Sequence, residues 1–510
     1  MIKTIPALGS AGVIYDQLPQ ELPDSGLSSV SNVRFRNGAV ERMRGEDSIL
    51  TGVSQTAYGL FTYSTGSTRF IIHAGTTVVK ANDGSTSTDI TGTAPTGTAD
   101  ARWTGGTLGG VFVCNNGVDA PMYWGGNTAL NLATLTAWPA STTCAVLKPW
   151  KNYLFALDVT KSGTRYAHMV KWSSAAEPGT LPASWDETNP ANDAGEIDLS
   201  ETTDFIVDAL PLGDSLIIYK QASAYAMTYI GGQYIFAQRR LPVDCGMLAR
   251  GCGAIVPNGH VILTAGDLVL FNGFEARSIA TNRVRQWIFD AIDSTYYSRA
   301  FLVANPAFSE VWVCFPTAGN SACNRAVVWN YAEDTFSVRD LNNATCGVSG
   351  IIPSTIDNTI DADTATIDSD VTAIDYVEGA TNKNQALIAT STPDVRLVDS
   401  GSDFNGTAFT ASIERTGMAL GDQTRVKTIR SVYPRIEGPA GQTMYVQIGA
   451  TMDVETPYSW SDPITYTIGT TYKADAMFSG RFLAYRIWSE SSFAWRLKSV
   501  DIDYTVRGIY

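Results

Sequence analysis

Between residues 58 and 341 one unit recurs six times: three short apolar strands separated by turns rich in Gly, Asn and Asp. Its middle strands are Arg69-Phe70-Ile71-Ile72, Val111-Phe112-Val113, Tyr153-Leu154-Phe155-Ala156, Ser215-Leu216-Ile217-Ile218, His260-Val261-Ile262-Leu263 and Glu310-Val311-Trp312-Val313. Their starts lie 42, 42, 62, 45 and 50 residues apart, close to the ~40–50 residues of one four-stranded propeller blade. A sheet this small cannot bury enough apolar surface alone, so such repeats must stack on one another. A chain of 510 residues also exceeds the ~250–300 at which a single core stops growing, which a ring of small cores accommodates.

Each middle strand is followed by a third, such as Met122-Tyr123-Trp124 or Ala326-Val327-Val328-Trp329, and then by an outer one, such as Glu196-Ile197-Asp198-Leu199. Two units carry insertions. One is the acidic stretch 173–192; the other is 282–294, where Val284, Trp287, Ile288 and Ala291 fall at helical spacing after an Asn282 cap. A seventh, atypical unit is expected over 346–418, with strands at 347–352, 386–390, 395–398 and 409–414. Beyond residue 418 the strands lengthen and alternate strictly: Val500, Ile502 and Tyr504 point one way, Asp501 and Asp503 the other. The expected fold is therefore all-β, a propeller of six or seven four-stranded blades over 46–418 with a C-terminal antiparallel β-sandwich platform over 419–510. Residues 1–45 read as an extended arm ending in a hairpin. There Asn37-Gly38 supplies a two-residue turn, setting Phe35 opposite Val40 and Arg34 opposite Glu41 as an apolar and a charged pair.

The net charge of −14 excludes a free-standing nucleic-acid binder, which needs a basic face. No run approaches the ~20 apolar residues of a membrane span, and residues 1–6 lack the apolar core of a secretory signal, so no stable membrane insertion is expected. Seven cysteines without a CxxC pair read as buried thiols of a chain folded in a reducing cytoplasm.

Little in the sequence carries chemistry. The three histidines, His73, His168 and His260, sit on or beside repeat strands and read as structural. Gly213-Asp214-Ser215-Leu216 spells the GDSL of a lipase-esterase family, but Ser215 runs directly into a strand and no Asp-x-x-His follows. No catalytic residue, cofactor or metal site is expected. The charge is uneven instead: 185–204 holds seven acids and no base, while 381–510 balances thirteen of each. Residues 354–377 are the most unusual, repeating Ile-Asp at 356–357, 360–361, 367–368 and 374–375. Several copies of such a segment could form an acidic collar, whereas a single copy is a solvated loop.

The hairpin Asn32-Val33-Arg34-Phe35-Arg36-Asn37-Gly38, the Thr-Ile-Asp repeats, and the ending Arg481-Phe482-Leu483-Ala484-Tyr485-Arg486 with Val500-Asp501-Ile502-Asp503-Tyr504 together resemble the tail nozzle (tail tubular protein B-like) family of short-tailed bacteriophages. Relatives often carry Trp-Asp where this chain has Ile-Asp. The resemblance implies a structural virion protein of the phage tail, assembled in the host cytoplasm. It further implies a homohexameric ring below the portal and adaptor, in contact with tail fibres or spikes, that conducts genome DNA during ejection and can gate it. Transient passage of double-stranded DNA suits acidic walls, because carboxylates repel phosphate and release no counterions in its favour. On this reading the loop 353–380, with Asp357, Asp361, Asp363, Asp368, Asp370 and Asp375, faces the conduit near its gate. The competing expectation is a glycan-binding or glycan-cleaving propeller acting on a bacterial surface, for which 12 Trp and 22 Tyr would supply stacking platforms.

Overall fold

The computed structural model describes residues 1–50, 52–66, 68–232, 234–353 and 384–509. Five successive antiparallel four-stranded sheets follow the recurring unit. Blade one comprises Gly59–Thr65, Thr68–Ala74, Val79–Asn82 and Ser87–Asp89. Blade two comprises Thr104–Leu108, Val111–Asn115, Met122–Trp124 and Ala133–Thr134. Thr142–Trp150, Tyr153–Lys161, Thr164–Trp172 and Gly195–Asp198 form blade three, and Ile206–Leu212, Ser215–Lys220, Ala224–Tyr229 and Phe236–Arg240 form blade four. Blade five is Gly253–Val256, Gly259–Leu263, Leu268–Phe271 and Ala276–Ser278.

The second strand of each blade is rich in buried apolar residues because neighbouring blades cover both of its faces; Val111–Asn115 is wholly buried. The cores accordingly lie between blades. Tyr63, Phe70 and Ile72 of blade one pack on Phe112 and Trp124 of blade two, with Phe70 edge-on to Trp124 at 5.1 Å. Val146 and Phe155 of blade three pack on Leu216, Ile218 and Tyr225 of blade four.

Blades six and seven share one strand, the 16-residue Thr335–Gly350. Its first part pairs with Cys323–Asn330 as the outer strand of blade six, beyond Phe301–Asn305 and Glu310–Phe315. Past a bulge between Ala344 and Cys346, its last part pairs with Gln385–Thr390 as the inner strand of blade seven. Asp394–Val398 comes next, and the outer strand is Glu46–Ser48, from ahead of blade one. The ring therefore has seven blades and is tied shut by a strand from outside the repeats. Blade seven also abuts the chain entering blade one, where the Thr345 hydroxyl donates to the Ala57 carbonyl at 2.6 Å.

The remaining strands form a sandwich of two six-stranded sheets. One contains Ile2–Ile5, Val33–Arg36, Ala39–Arg42, Arg496–Ile509, Arg425–Glu437 and Ala474–Gly480; the other contains Ser29–Ser31, Ala411–Met418, Phe482–Ser489, Thr443–Thr451, Ser459–Trp460 and Ile464–Thr467. Residues 1–45 are thus not an arm apart from the sandwich but supply four of its strands. The strand expected at 409–414 also pairs in the sandwich, with Phe482–Ser489, rather than in the seventh blade. Both departures have one cause: periodicity reports local meanders and is silent about partners far along the chain.

The Asn37-Gly38 turn has the positive φ angles of its type, 50° and 66°, and Phe35 opposes Val40 while Arg34 opposes Glu41. Those two charges nevertheless pair elsewhere, Glu41 with Arg496 at 3.1 Å and Arg34 with the propeller. Helix α1 (Arg285–Ala291) lies between blades five and six. Asn282 does not cap it; it sits in the left-handed region at φ 59°. The Asp16 carboxylate takes that place, accepting from the backbone N–H groups of Gln286 (2.9 Å) and Trp287 (3.1 Å), while Tyr15 stacks on Trp287 at 4.7 Å.

Candidate functional site

In a meander of four-stranded blades the inner strands all run the same way, so every turn from first to second strand lies on one face of the ring. In blades two and four that turn is short, Gly109-Gly110 and Gly213-Asp214. In blade seven it is the whole of 351–384, leaving the inner strand at Gly350, which pairs with Gln385 on the last rung. Gly350 lies against Thr62 of blade one: a Cβ placed on it would stand 2.2 Å from the Thr62 hydroxyl. The acidic insert therefore departs from the axial strand of its blade, beside the seam where the ring closes. Asp357, Asp361, Asp363, Asp368, Asp370 and Asp375 lie outside the described residues.

The other acidic stretch is packed and partly neutralised. Its Trp185 is buried edge-on to Trp138 at 4.7 Å. Glu187 pairs with the buried Lys171 and with Lys161 (3.5 Å), and Glu196 pairs with both lysines, at 3.1 and 2.5 Å. Burial alone would raise the Glu187 carboxyl, but its hydrogen bond with Lys171 and the charge of both lysines bring it down to about 2. Asp204 accepts from the backbone of Ala222 and Ser223, both at 2.9 Å, and lies 3.4 Å from Lys220. Against the opposing effect of burial, these bonds hold it well below the usual carboxylate range. Sequence alone shows the acids but not the lysines that answer them, which come from the neighbouring strands.

Ser215 of the GDSL string follows a turn at Gly213 (φ 56°), and its hydroxyl shares a hydrogen bond with Thr228 at 3.1 Å. His260 meets the Tyr219 hydroxyl at 2.8 Å through Nδ1 and the Pro211 carbonyl at 2.9 Å through Nε2, so both ring nitrogens are engaged. Burial, helped by nearby Lys80, lowers His73 to about 4. All seven cysteines are free and buried, and among the described residues no group of three or more His, Cys, Asp or Glu is placed to hold a metal. No described helix is long and apolar enough to cross a membrane.

What the sequence conceals is the junction of propeller and sandwich. Arg34 donates from Nε to Glu310 at 2.8 Å and from Nη2 to Asp399 at 2.8 Å, with its guanidinium 3.7 Å over the Phe308 ring. Glu310 also accepts from the Trp312 indole at 3.0 Å, and Asp399 from Asn305 at 2.5 Å. Alongside, Arg339 pairs with Glu46 at 3.1 Å, both wholly buried, and stacks on Trp312. The Arg34 pairs hold one relative placement of propeller and sandwich because both carboxylates lose their cation if the two separate.

No protein-family model and no curated protein sequence matches the chain. Among solved structures, the WD40 β-propeller domain of Doa1 aligns at TM-score 0.37 and 9% identity, over 69% of this chain and 96% of its own. The Neurospora crassa Pan2 WD40 domain aligns at TM-score 0.38 and 7% identity, over 70% and 94%.

Proposed function

We propose that this chain is a structural protein of a short bacteriophage tail, a nozzle subunit that assembles with copies of itself into a ring below the portal and adaptor. The observation that carries the reading is where the acidic insert leaves the ring, at Gly350 beside blade one. One blade in seven replaces the turn at its axial strand with more than thirty residues that include seven acids and one lysine, and inserted loops are where a rigid scaffold adds function. The family resemblance of the hairpin, the Ile-Asp repeats and the C-terminal strands supports it. So does the interlocking of residues 2–42 with residues 411–509 in one sandwich, which suits a part that must bear load. Repeated around a ring, the insert would line the path of the duplex with like charge, centring DNA without holding it. Adaptor and fibre or spike proteins are the expected neighbours, and no catalytic step is required of the chain.

Tyr229, Tyr234 and Phe274 favour the second reading, glycan recognition, because they are exposed at the ends of blades four and five. Electron microscopy of the purified protein and of the virion separates the two. Closed rings, and density for this chain at the distal end of the tail tube, are the expected result; a monomer that binds or releases bacterial glycans would replace the nozzle reading.

A further inference from the structure

The inner strands converge on a cavity of about 220 Å³ at the propeller axis, toward the ends of the inner strands away from Gly350. Its wall is more basic than a chain of net charge −14 leads one to expect. Lys148 of blade three, Arg102 ahead of blade two and Arg250 ahead of blade five line it, with Asp208 of blade four as the one carboxylate.

That carboxylate is already spent. Asp208 is 2.9 Å from the Lys148 ammonium and accepts from the backbone N–H groups of Ala209 (2.8 Å) and Gly251 (3.1 Å). The next acid, Asp158, is held by both arms of Arg165 at 2.7 and 2.6 Å. Arg102 places its terminal nitrogens on the carbonyls of Thr345 (2.5 Å) and Arg299, so its positive charge has no carboxylate against it. Arg250 makes no hydrogen bond or close ion pair with any described residue. Asp208 and Asp158 act on it only from a distance, and burial outweighs them, so its proton is held less tightly than usual.

Arg250 is half-buried and lines the cavity with donors that no described residue occupies. Its planar fork is also the side chain best matched to a carboxylate or phosphate. We propose that Arg250, which shares the cavity wall with Lys148 and Arg102, binds a small oxyanion, a phosphate or carboxylate group, at the axis of the propeller. The cavity is below the ~300 Å³ at which drug-sized ligands begin to fit, so it admits one such group rather than a nucleic-acid strand. The site does not depend on the nozzle reading.

Thermal unfolding of the full chain tests this, with sodium phosphate or sodium acetate titrated against sodium chloride of matched ionic strength. Binding raises Tm progressively with anion concentration, following the linkage relation RT ln(1 + [L]/Kd), and the stronger of the two anions identifies the preferred group. Because Arg250 holds nothing in the free protein, Arg250→Gln keeps its Tm in chloride and loses the phosphate- or acetate-dependent rise. Line broadening of inorganic phosphate or acetate in NMR spectra with the wild-type chain is a second readout that requires no variant. Absence of both an anion-specific Tm rise and line broadening in the wild type, or an equal rise in Arg250→Gln, overturns the proposal.

Discussion

Arg34 and Glu310 meet at 2.8 Å although 276 positions separate them in the chain. The contact joins a hairpin of the sandwich to the second strand of blade six, and Asp399 completes it from the far end of blade seven. Burial alone would lower the Arg34 pKa; the two carboxylates more than offset this and raise it. Arg34→Met leaves two carboxylates buried without their cation, so we expect a loss of about 3–5 kcal/mol in urea unfolding. A loss below about 1 kcal/mol, on the scale of an exposed pair, would mean that the junction is held by other contacts.

The inter-blade cores make a second expectation. Phe112 is fully buried, with Phe61 at 5.3 Å and Tyr63 at 5.8 Å across the gap between blades one and two. Phe112→Ala removes the side chain on which both blades close and should cost about 3–5 kcal/mol. Because the ring is continuous, the loss should appear in the main unfolding transition; a separate early transition confined to blade one would show that the blades are uncoupled.

Acid stability follows from Glu187. Its carboxyl titrates near 2 in the folded chain against 4.5 for an unperturbed glutamate. The folded state therefore binds the proton less readily, and protonation favours unfolding. The stabilisation is fully present above pH ~4.5 and is lost as pH falls through ~2. Chemical denaturation of wild type and Glu187→Gln from pH 6 to 2 should show a stability gap that is flat at the upper end and closes across that window. A gap independent of pH would place the role of Glu187 outside its charge.

On the proposed conduit role, replacing Asp357, Asp361, Asp368 and Asp375 by Lys turns a repelling collar into one that grips phosphate. Virions carrying the variant should assemble normally and eject DNA more slowly, with the delay shrinking as salt rises. Normal ejection kinetics at low salt in fully assembled particles would remove the acidic insert from the DNA path.

Much of the propeller is legible from residues alone because its contacts are local. A blade is a meander of short strands, so Val111-Phe112-Val113 and its five counterparts announce themselves by composition and spacing, and Asn37-Gly38 announces its turn. The seventh blade resists for the opposite reason. Its outer strand lies next to Ser400, whose hydroxyl donates to Asp47 at 2.7 Å across 353 positions, and no period in a sequence reports such a partner. The same holds for Arg34, whose register opposite Glu41 is readable but whose ion pairs with Glu310 and Asp399 are not. The basic axial cavity is hidden again, because Arg102, Lys148 and Arg250 lie far apart in sequence and gather only when the ring closes.

The closing strand Glu46–Ser48 sets an order of events during synthesis. Its partner, Asp394–Val398, leaves the ribosome some 350 residues later, an interval of roughly 20 to 70 s at ~5–20 residues per second. Through that interval Ile2–Ile5, Ser29–Ser31 and Glu46–Ser48 wait for their partners, while the blades accumulate as an open arc with a bare edge at each end. The ring is closed by residues 394–398 and the sandwich is completed only by residues 411–509. A half-translated chain therefore presents neither a finished disk nor a finished platform to its neighbours.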